Sequence, residues 1–228
     1  MSIGVLRERP LHASLKRWYA EPGDGVEVPV DGFVIDLVRD DLLIEIQTKG
    51  FSGMKRKTAA LLGAGHSVRI VHPIPETSWI VKVDGRGAEI DRRKSPRRGS
   101  FLDIFAELVS FPSLMDHDGL EVEALMVHQE EMRAHHQGKA WRRKGWVVEE
   151  RRLVGVVDGR MIASSRDALD LLPEGLPDPF TTADLAKSAR CTKRLAQQTM
   201  YCLRTAGVVQ TDGKRGNAIL YRSPDVGT

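Results

Sequence analysis

The stretch GFVIDLVRDDLLIEIQT, residues 32–48, consists of two apolar runs that flank the adjacent acids Asp40 and Asp41. Each run is rich in β-branched and large aliphatic residues, and the two acids interrupt the apolar pattern where a chain reversal is expected. The stretch therefore predicts a β-hairpin whose turn lies at Asp40 and Asp41.

The predicted register places Asp36 directly opposite Glu45. Because strand side chains alternate between the two faces, both carboxylates lie on one face. Like charges opposed across a ladder destabilise a sheet on the ~0.2–1 kcal/mol scale of cross-strand pairs. A divalent cation would remove that repulsion, and carboxylate oxygens suit Mg²⁺. The apolar face comprises Phe33, Ile35, Leu37, Leu42, Ile44 and Ile46, and the other face Val34, Asp36, Val38, Leu43, Glu45 and Gln47.

Two alternatives to a metal site stay open at this point. A register shifted by one residue would separate the two acids, and Asp-Asp is not a preferred hairpin turn. Basic neighbours at the surface would also satisfy each carboxylate without any metal. The hairpin alone does not decide among these three.

The composition predicts a soluble protein with an affinity for polyanions. Of the 228 residues, 41% are hydrophobic and 29% charged, which supports a packed core. The net charge is only +3, but the pI is about 8.9 and the basic residues are clustered. Clustered Lys and Arg indicate contact with nucleic acid, although solvated charge runs occur on many surfaces. The clusters lie at residues 92–98, 141–146, 150–152, 190–194 and 212–216.

Cysteine content and hydropathy bear on the compartment. Cys191 and Cys202 are the two cysteines, which is too few for a disulfide framework or a zinc set. No N-terminal apolar segment and no run of about 18 apolar residues is present. We therefore expect a cytoplasmic protein without a membrane partner.

The chain divides into three predicted domains, residues 1–92, 99–172 and 173–228. In the first domain the sequence predicts a helix from Pro10, a strand at 26–30, the hairpin, and a helix at 52–65. A short strand at 67–75 should end at its prolines, and another strand is predicted at 79–83. In the middle domain, helices are predicted at 100–111 and 120–136, and a hairpin or meander at 146–162. The middle domain could be a second winged domain or a dimerisation element, so a homodimer is one expectation.

The order of helix, three-stranded meander, helix and strand, with Asp36 before Glu45-Ile46-Gln47, resembles the PD-(D/E)XK nuclease superfamily. The resemblance covers about residues 10–75 and rests on a short motif. It implies an α/β (α+β) fold with a restriction-endonuclease-like αβββαβ core. It also implies that Asp36, Glu45 and the backbone carbonyl of Ile46 hold Mg²⁺ or Mn²⁺. In such nucleases the metal activates a water and stabilises charge on the scissile phosphate.

The sequence departs from the family pattern at Gln47, which stands where the motif has lysine. Some members similarly use glutamine there; it can orient a water but supplies no positive charge. Lys49, or a lysine among residues 55–57, could supply that charge, although each could equally be a solvated lysine.

A first-helix acid is often part of the family's site, and Glu8 is the candidate here. The alternative is a glutamate favoured by the helix dipole. His12, four residues on, could share its face. The catalytic set predicted from the resemblance is Glu8, Asp36, Glu45, Gln47 and Lys49.

Residues 180–228 resemble a winged helix-turn-helix domain. Thr181 is the expected N-cap of a short helix, a longer helix follows at 192–207, and two strands surround a basic tip. Arg, Lys and Gln on the longer helix are types that contact phosphates and base edges, although many winged helices bind proteins instead. The predicted DNA-binding residues are Lys193, Arg194, Gln197, Gln198, Tyr201 and Arg204 on the helix, and Lys214 and Arg215 on the wing.

A weaker candidate metal set lies on the helix predicted at residues 120–136. It consists of His128, His135 and His136 together with Glu130 and Glu131. Structural histidines are the more common explanation of such a pattern, and no cysteine supports a metal role.

Together these features predict a Mg²⁺- or Mn²⁺-dependent DNA endonuclease that a winged-helix domain directs to its substrate. The alternative is a non-catalytic DNA-binding regulator with a degenerate nuclease fold, which Gln47 favours. RNA stays open as a substrate beside DNA.

Overall fold

The computed structural model describes residues 10–222, and Glu8 lies outside them. The fold is mixed α/β, with one seven-stranded sheet, one three-stranded sheet and six α-helices among the described residues. The helices are α1 (Pro10–Tyr19), α2 (Lys55–Gly63), α3 (Phe105–Leu108), α4 (Ser165–Leu169), α5 (Thr182–Ser188) and α6 (Lys193–Thr205). The strands are β1 (Gly25–Val30), β2 (Phe33–Arg39), β3 (Leu42–Ile46), β4 (Ser67–Val83), β5 (Glu89–Lys94), β6 (Leu120–His135), β7 (Trp146–Ile162), β8 (Phe180–Thr181), β9 (Gln210–Arg215) and β10 (Ala218–Arg222).

The large sheet has the order β1-β2-β3-β4-β6-β7, and β5 also pairs with β4. Strands β1 to β3 form an antiparallel meander. Strand β4 then runs parallel to β3, a connection that needs a crossover, and α2 supplies it. The predicted element order of helix, three strands, helix and strand is therefore confirmed.

The predicted hairpin register is confirmed for the pairs between the turn and Leu37–Ile44. Leu37 pairs with Ile44 and Val38 with Leu43. The β2–β3 ladder ends at the Leu37–Ile44 pair, so Asp36 and Glu45 lie just beyond its last rung.

Both faces of the large sheet are covered along its central strands. On one face Leu11 and Leu15 of α1 belong to a buried cluster with Leu37, Ile44 and Ile46. The other face lies under α2, α3 and the C-terminal helices, in a larger cluster. This larger cluster includes Ile35, which the alternation pattern had placed beside Leu37. That part of the face assignment is wrong. The β1–β2 ladder skips Asp36 between its Val26–Leu37 and Val28–Ile35 pairs, and Glu27 at this point of β1 has a positive φ of 51°. The irregularity interrupts the alternation between Leu37 and Ile35.

Strand β4 runs unbroken for 17 residues, so the predicted stop at its prolines is wrong. Its first half pairs with β3 as far as Val71, and its second half pairs with β5 from Trp79. Pro73 and Pro75 lie in the gap between these two partners. Both prolines are an even number of residues from Val71, so their backbone groups point to the same edge of β4 as those of Val71. That edge is the one facing β3, because the Val71 carbonyl accepts a hydrogen bond from the Gln47 N–H. Their missing N–H groups therefore cost no ladder hydrogen bond.

The helix predicted at residues 120–136 is wrong, because β6 is a strand from Leu120 to His135. It lies between β4 and β7, and pairing on both edges overrides the helical tendency of its Glu, Leu and Met residues. Likewise β7 is one strand rather than a hairpin. The helix predicted at 100–111 consists of a short helical turn at 101–104 followed by the four-residue α3. One sheet thus crosses the predicted boundary at residues 92–99.

The C-terminal part contains the two helices and two strands that the sequence predicts. A capping box between Thr181 and Asp184 starts α5. Strands β8, β10 and β9 form the three-stranded sheet. Ala196 and Met200 belong to the buried surface of α6. They lie in the same cluster as Phe105 of α3, so the C-terminal part shares the core of the large sheet.

Within residues 10–222, no helix has the length and apolar character needed to cross a membrane. Cys191 and Cys202 are both free thiols. Burial raises the pKa of Cys202 to about 12, which is consistent with a residue that only packs.

Candidate active site

Asp36 is held in place where β2 leaves its ladder with β3. Its Oδ2 accepts a hydrogen bond from the Ile46 backbone N–H at 2.9 Å. The same oxygen lies 3.1 Å from Nε2 of His12 on α1. A strand end and a helix therefore orient this carboxylate together.

The environment keeps Asp36 ionised. Burial by itself would raise the pKa of this carboxyl, but the hydrogen bond and charge of His12 outweigh it, helped by the Ile46 N–H and the charge of Lys16. The net result is a pKa below the ordinary aspartate range.

Glu45 is in the opposite situation. Glu45 is only 9% exposed, and this burial raises the pKa of its carboxyl above the ordinary glutamate range. The negative charge of Asp36 acts in the same direction, so the two acids are close enough to repel each other. Nζ of Lys57 on α2 lies 2.6 Å from Glu45 Oε1 but only partly offsets the burial.

Lys57 is fixed by two acceptors. Besides Glu45, its ammonium donates to the Val34 carbonyl at 2.7 Å. Of the alternative lysines that the sequence offered, it is therefore Lys57 that contacts Glu45. Lys55 is exposed on the first turn of α2.

The oxygen atoms at this strand end suit a hard divalent cation. The Gln47 N–H points to β4, where it donates to the Val71 carbonyl. Successive strand residues point their backbone groups to opposite edges, so the N–H and C=O of Ile46 both face the edge that carries Asp36. Two carboxylates and one carbonyl can thus converge there, which fits Mg²⁺ or Mn²⁺. Among residues 10–222 no group of three or more His, Cys, Asp or Glu side chains is arranged to hold a metal.

Among residues 10–222, neither the Gln47 side chain nor Lys49 is bonded to the Glu45 carboxylate, which pairs with Lys57. The Gln47 side-chain amide donates to the Gly50 carbonyl at 3.1 Å. Its backbone carbonyl accepts from Nδ1 of His72 at 2.6 Å. Burial lowers the pKa of His72 and so favours the neutral ring. Lys49 is exposed and lines a neighbouring cleft.

His72 is a site residue that sequence reasoning missed. It lies inside an apolar strand run, where a histidine gives no periodic signal. Its ring meets Phe51 edge-on with centroids 5.2 Å apart. It fixes the chain where β3 ends and the Thr48–Gly50 loop begins.

A cleft of about 560 Å³ lies beside the open edge of β4 between β3 and β5. We call it the β4 cleft. Thr48, Lys49 and Gly50 form one wall, and the cleft reaches Leu11, the neighbour of His12. The lining thus includes Leu11 and Thr48, the chain neighbours of His12 and Gln47, while Asp36 and Glu45 are not part of it. Further lining side chains include His72, Arg97, Glu131, Arg133, Arg143 and Arg151.

The predicted DNA-binding residues of α6 form an exposed surface, apart from Gln198, which is half-buried. Lys214 is exposed on β9 as well. Arg215 instead pairs with Asp184 of α5. Hydrogen bonds from Thr181, reinforced by Arg215, lower the pKa of Asp184. The exposed members on α6 are Lys193, Arg194, Gln197, Tyr201 and Arg204.

The weaker candidate metal set is not brought together. His128 pairs with Glu76 at 2.8 Å, and His136 pairs with Glu149 at 2.5 Å. His135 packs against the Trp146 ring. Because the segment is a strand and not a helix, the helical spacing that grouped these residues does not apply.

Comparison with known proteins gives a family without an assigned activity. The model of a family described as "Domain of unknown function (DUF8091)" matches residues 9–163, which span α1 to β7. An uncharacterized protein of Treponema pallidum (strain Nichols) is 29% identical over 228 residues, covering 100% of this chain and 90% of that protein. No solved structure matches the chain.

Proposed function

Since the chain belongs to the DUF8091 family through residues 9–163, we propose its function from the geometry of the site: a divalent-metal-dependent phosphodiesterase that cleaves DNA. The observation that carries the proposal is the meeting of Asp36, Glu45 and Lys57 at one strand end. Two acids that repel each other, beside a fixed cation, are costly to keep for stability alone.

In this proposal Asp36, Glu45 and the Ile46 carbonyl hold Mg²⁺ or Mn²⁺, which when bound supplies Lewis-acid stabilisation and an activated water. His12 holds the Asp36 carboxylate in one orientation through their 3.1 Å contact. Lys57 provides the positive charge that the motif position, Gln47, lacks. Its place beside Glu45 lets it contact a non-bridging phosphate oxygen and stabilise charge there.

Gln47 has a positioning role. Its side chain is bonded to the Gly50 carbonyl and its carbonyl to His72, so both ends fix the loop after β3. The absence of the motif lysine is thus compatible with activity, because the charge comes from α2. The resemblance of residues 10–75 to the PD-(D/E)XK nucleases supports this assignment.

The C-terminal part is proposed to deliver the substrate. Its order of α4, β8, α5, α6, β9 and β10 is similar to that of winged helix-turn-helix domains. The exposed Lys, Arg and Gln residues of α6 support docking on duplex DNA. Lys214 would meet a backbone phosphate from the wing.

Cleavage assays with single-stranded, duplex and branched DNA in Mg²⁺ or Mn²⁺ test the proposal. We expect Asp36→Asn and Glu45→Gln each to reduce the cleavage rate at least about 100-fold, because each removes a charged ligand. The matched control is Glu89→Gln, an exposed carboxylate on β5. Cleavage that survives both site substitutions would show that the chemistry is elsewhere.

A second candidate is a non-catalytic DNA-binding regulator. The observation that favours it is the Lys57–Glu45 ion pair, which occupies a carboxylate that a metal would need. Calorimetric titration with Mn²⁺, with and without DNA, separates the two functions. Heat of binding that is lost in Asp36→Asn supports the nuclease, and no binding under either condition supports the regulator.

A further inference from the structure

We infer that the β4 cleft binds single-stranded nucleic acid and leads one strand to the Asp36–Glu45 site. The inference rests on the proposed function for that last step. Binding in the cleft is a separate property of the molecule and is measured separately below.

The cleft exists because β4 changes partner along one edge. Strand β3 pairs with it as far as Val71, and β5 takes the same edge from Trp79. Between them Pro73 and Pro75 offer no N–H to a further strand. The loops that leave β3 and β5 therefore diverge around an opening instead of closing the sheet.

The acids of the cleft are already engaged. Asp103 accepts from the Ser100 N–H and Glu107 from the Phe51 N–H. Glu131 is bonded to Arg133 and Arg151, the two arginines of the cleft that have an acidic partner. Asp103 and Glu107 keep their charge, because their donors are neutral N–H groups, so the lining carries three carboxylates against five cationic side chains.

Three other cations line the same cleft: Lys49, Arg97 and Arg143. Within residues 10–222 none of the three side chains has an ion pair with an acid. With five cationic side chains against three carboxylates, the cleft presents a net excess of positive charge, which attracts a chain of phosphates.

The size of the cleft selects the form of the nucleic acid. Its volume of about 560 Å³ lies in the range of small-ligand pockets, roughly 300–1,000 Å³. A duplex is too wide to enter such a space. A single strand can place its backbone and an unstacked base inside, where the walls continue into the Thr48–Gly50 loop of the proposed catalytic site.

An exposed aromatic side chain lies next to the cleft. Trp141 is 81% exposed and begins the helical turn that ends at the cleft residue Arg143. The guanidinium of Arg142 lies 5.3 Å from the centroid of its indole. An indole kept in water beside arginines is suited to stack on an unpaired base.

The test measures binding by fluorescence anisotropy with the full-length chain in EDTA, where no metal-dependent cleavage occurs. The probes are a labelled single-stranded DNA, its duplex and the RNA of the same sequence. We expect the triple variant Lys49→Ala/Arg97→Ala/Arg143→Ala to weaken single-strand binding at least tenfold. Its log–log salt slope should be shallower by about 2, because each lost phosphate contact removes ~0.7.

A charge-matched control is Arg17→Ala/Arg86→Ala/Arg166→Ala, three exposed arginines outside the cleft. It should bind the single strand like the wild type. Trp141→Ala should weaken binding about tenfold through the lost stacking, and Trp141→Phe should largely restore it. The RNA probe shows whether the cleft distinguishes the sugar.

The outcomes separate this inference from the proposed function. Equal binding by the cleft and control triple variants, or no binding of any single strand by the wild type, overturns the inference. Asp36→Asn/Glu45→Gln should still bind the single strand in EDTA. If the wild type binds single strands through the cleft but never cleaves DNA with Mg²⁺ or Mn²⁺, the nuclease proposal fails. The inference that the β4 cleft binds single-stranded nucleic acid is then still supported.

Discussion

At the residue scale, the site pairs two carboxylates whose surroundings drive their proton affinities apart. The pKa of Asp36 lies below its ordinary range, and burial raises that of Glu45. Divergent pKa values in neighbouring acids are typical of functional sites. If the proposed metal binds here, Glu45, and not Asp36, would set the acid limit for its binding.

We therefore predict that Mn²⁺ affinity falls as pH decreases through the raised pKa of Glu45. A metal needs the ionised carboxylate, and protonation competes with it. The loss should begin above the ordinary glutamate range, while Asp36 is still ionised. Calorimetric titration over a pH series measures the affinity, and an unchanged affinity down to the ordinary range contradicts the prediction.

The role proposed for Lys57 predicts opposite effects on metal binding and on cleavage. In Lys57→Ala the competing cation next to Glu45 is lost, so Mn²⁺ should bind more tightly. Cleavage should fall about 100-fold, because charge stabilisation at the phosphate is removed. Lys55→Ala, on the same helix turn but exposed, is the control. A parallel loss of binding and cleavage would assign Lys57 to structure alone.

Tyr19 links α1 to β6 and predicts a specific alkaline instability. Its hydroxyl donates to Glu123 and accepts from Arg69, the latter at 3.1 Å. Burial, reinforced by Glu123, raises the pKa of Tyr19 from 10.0 to about 12. The folded state thus keeps a proton that the unfolded chain loses, and stability contributed below pH 10 is lost as the pH rises toward 12.

In Tyr19→Phe this part of the pH dependence should disappear. Urea unfolding at neutral pH should show a loss of about 1 kcal/mol, since Glu123 and Arg69 lose a partner. The difference in unfolding free energy between wild type and Tyr19→Phe should then shrink above pH 10. A constant difference across the alkaline range would contradict the assigned pKa.

At the element scale, β4 organises both the sheet and the cleft. Its prolines leave one stretch of edge open, and the loop from β5 then returns over it. Gly99 makes this return possible, since its N–H donates to the Pro75 carbonyl at 2.9 Å. A Cβ on Gly99 would lie 2.8 Å from that same oxygen and 2.7 Å from the Ile74 side chain.

Gly99→Ala should therefore force the loop away from β4. We expect a loss of about 1–3 kcal/mol in urea unfolding, as for other overpacked sites, together with weaker single-strand binding in the cleft. Gly85→Ala is the matched control, because a Cβ there meets nothing within 4 Å. Equal stability of the two alanine variants would show that the loop has room to adjust.

At the scale of the whole molecule, one core joins the large sheet to the C-terminal helices. Leu185, Leu203 and Met200 belong to the same buried cluster as Phe105 and Leu108 of α3. The C-terminal part is therefore packed as part of the molecule. Such a shared core favours a single cooperative unfolding transition.

We predict that urea unfolding, followed by circular dichroism and by tryptophan fluorescence, gives coincident curves. Met200→Ala, at a position that is 1% exposed, should lower both midpoints together and cost about 2–5 kcal/mol. Ile219→Ala, at a position 42% exposed, is the control. Two separated transitions, with Met200→Ala moving only one, would show independent domains.

The sequence by itself determined the local features of this protein. Alternation around Asp40 and Asp41 specified the hairpin and its register, because strand periodicity and a turn are encoded by neighbouring residues. The capping residues at Thr181 similarly specified the start of α5. Asp36 and Glu45 could be placed together for the same reason, since they lie on adjacent arms of one hairpin.

Only the tertiary structure decided what depends on distant partners. The sequence of β6 predicts a helix, but the segment is a strand because it pairs with β4 on one edge and β7 on the other. The prolines of β4 were predicted to end the strand. The strand tolerates them because its edge has no paired partner between Val71 and Trp79. The contact of Lys57 with Glu45 and the charges of the β4 cleft join segments far apart in the chain. Such contacts arise from packing, which no local pattern encodes.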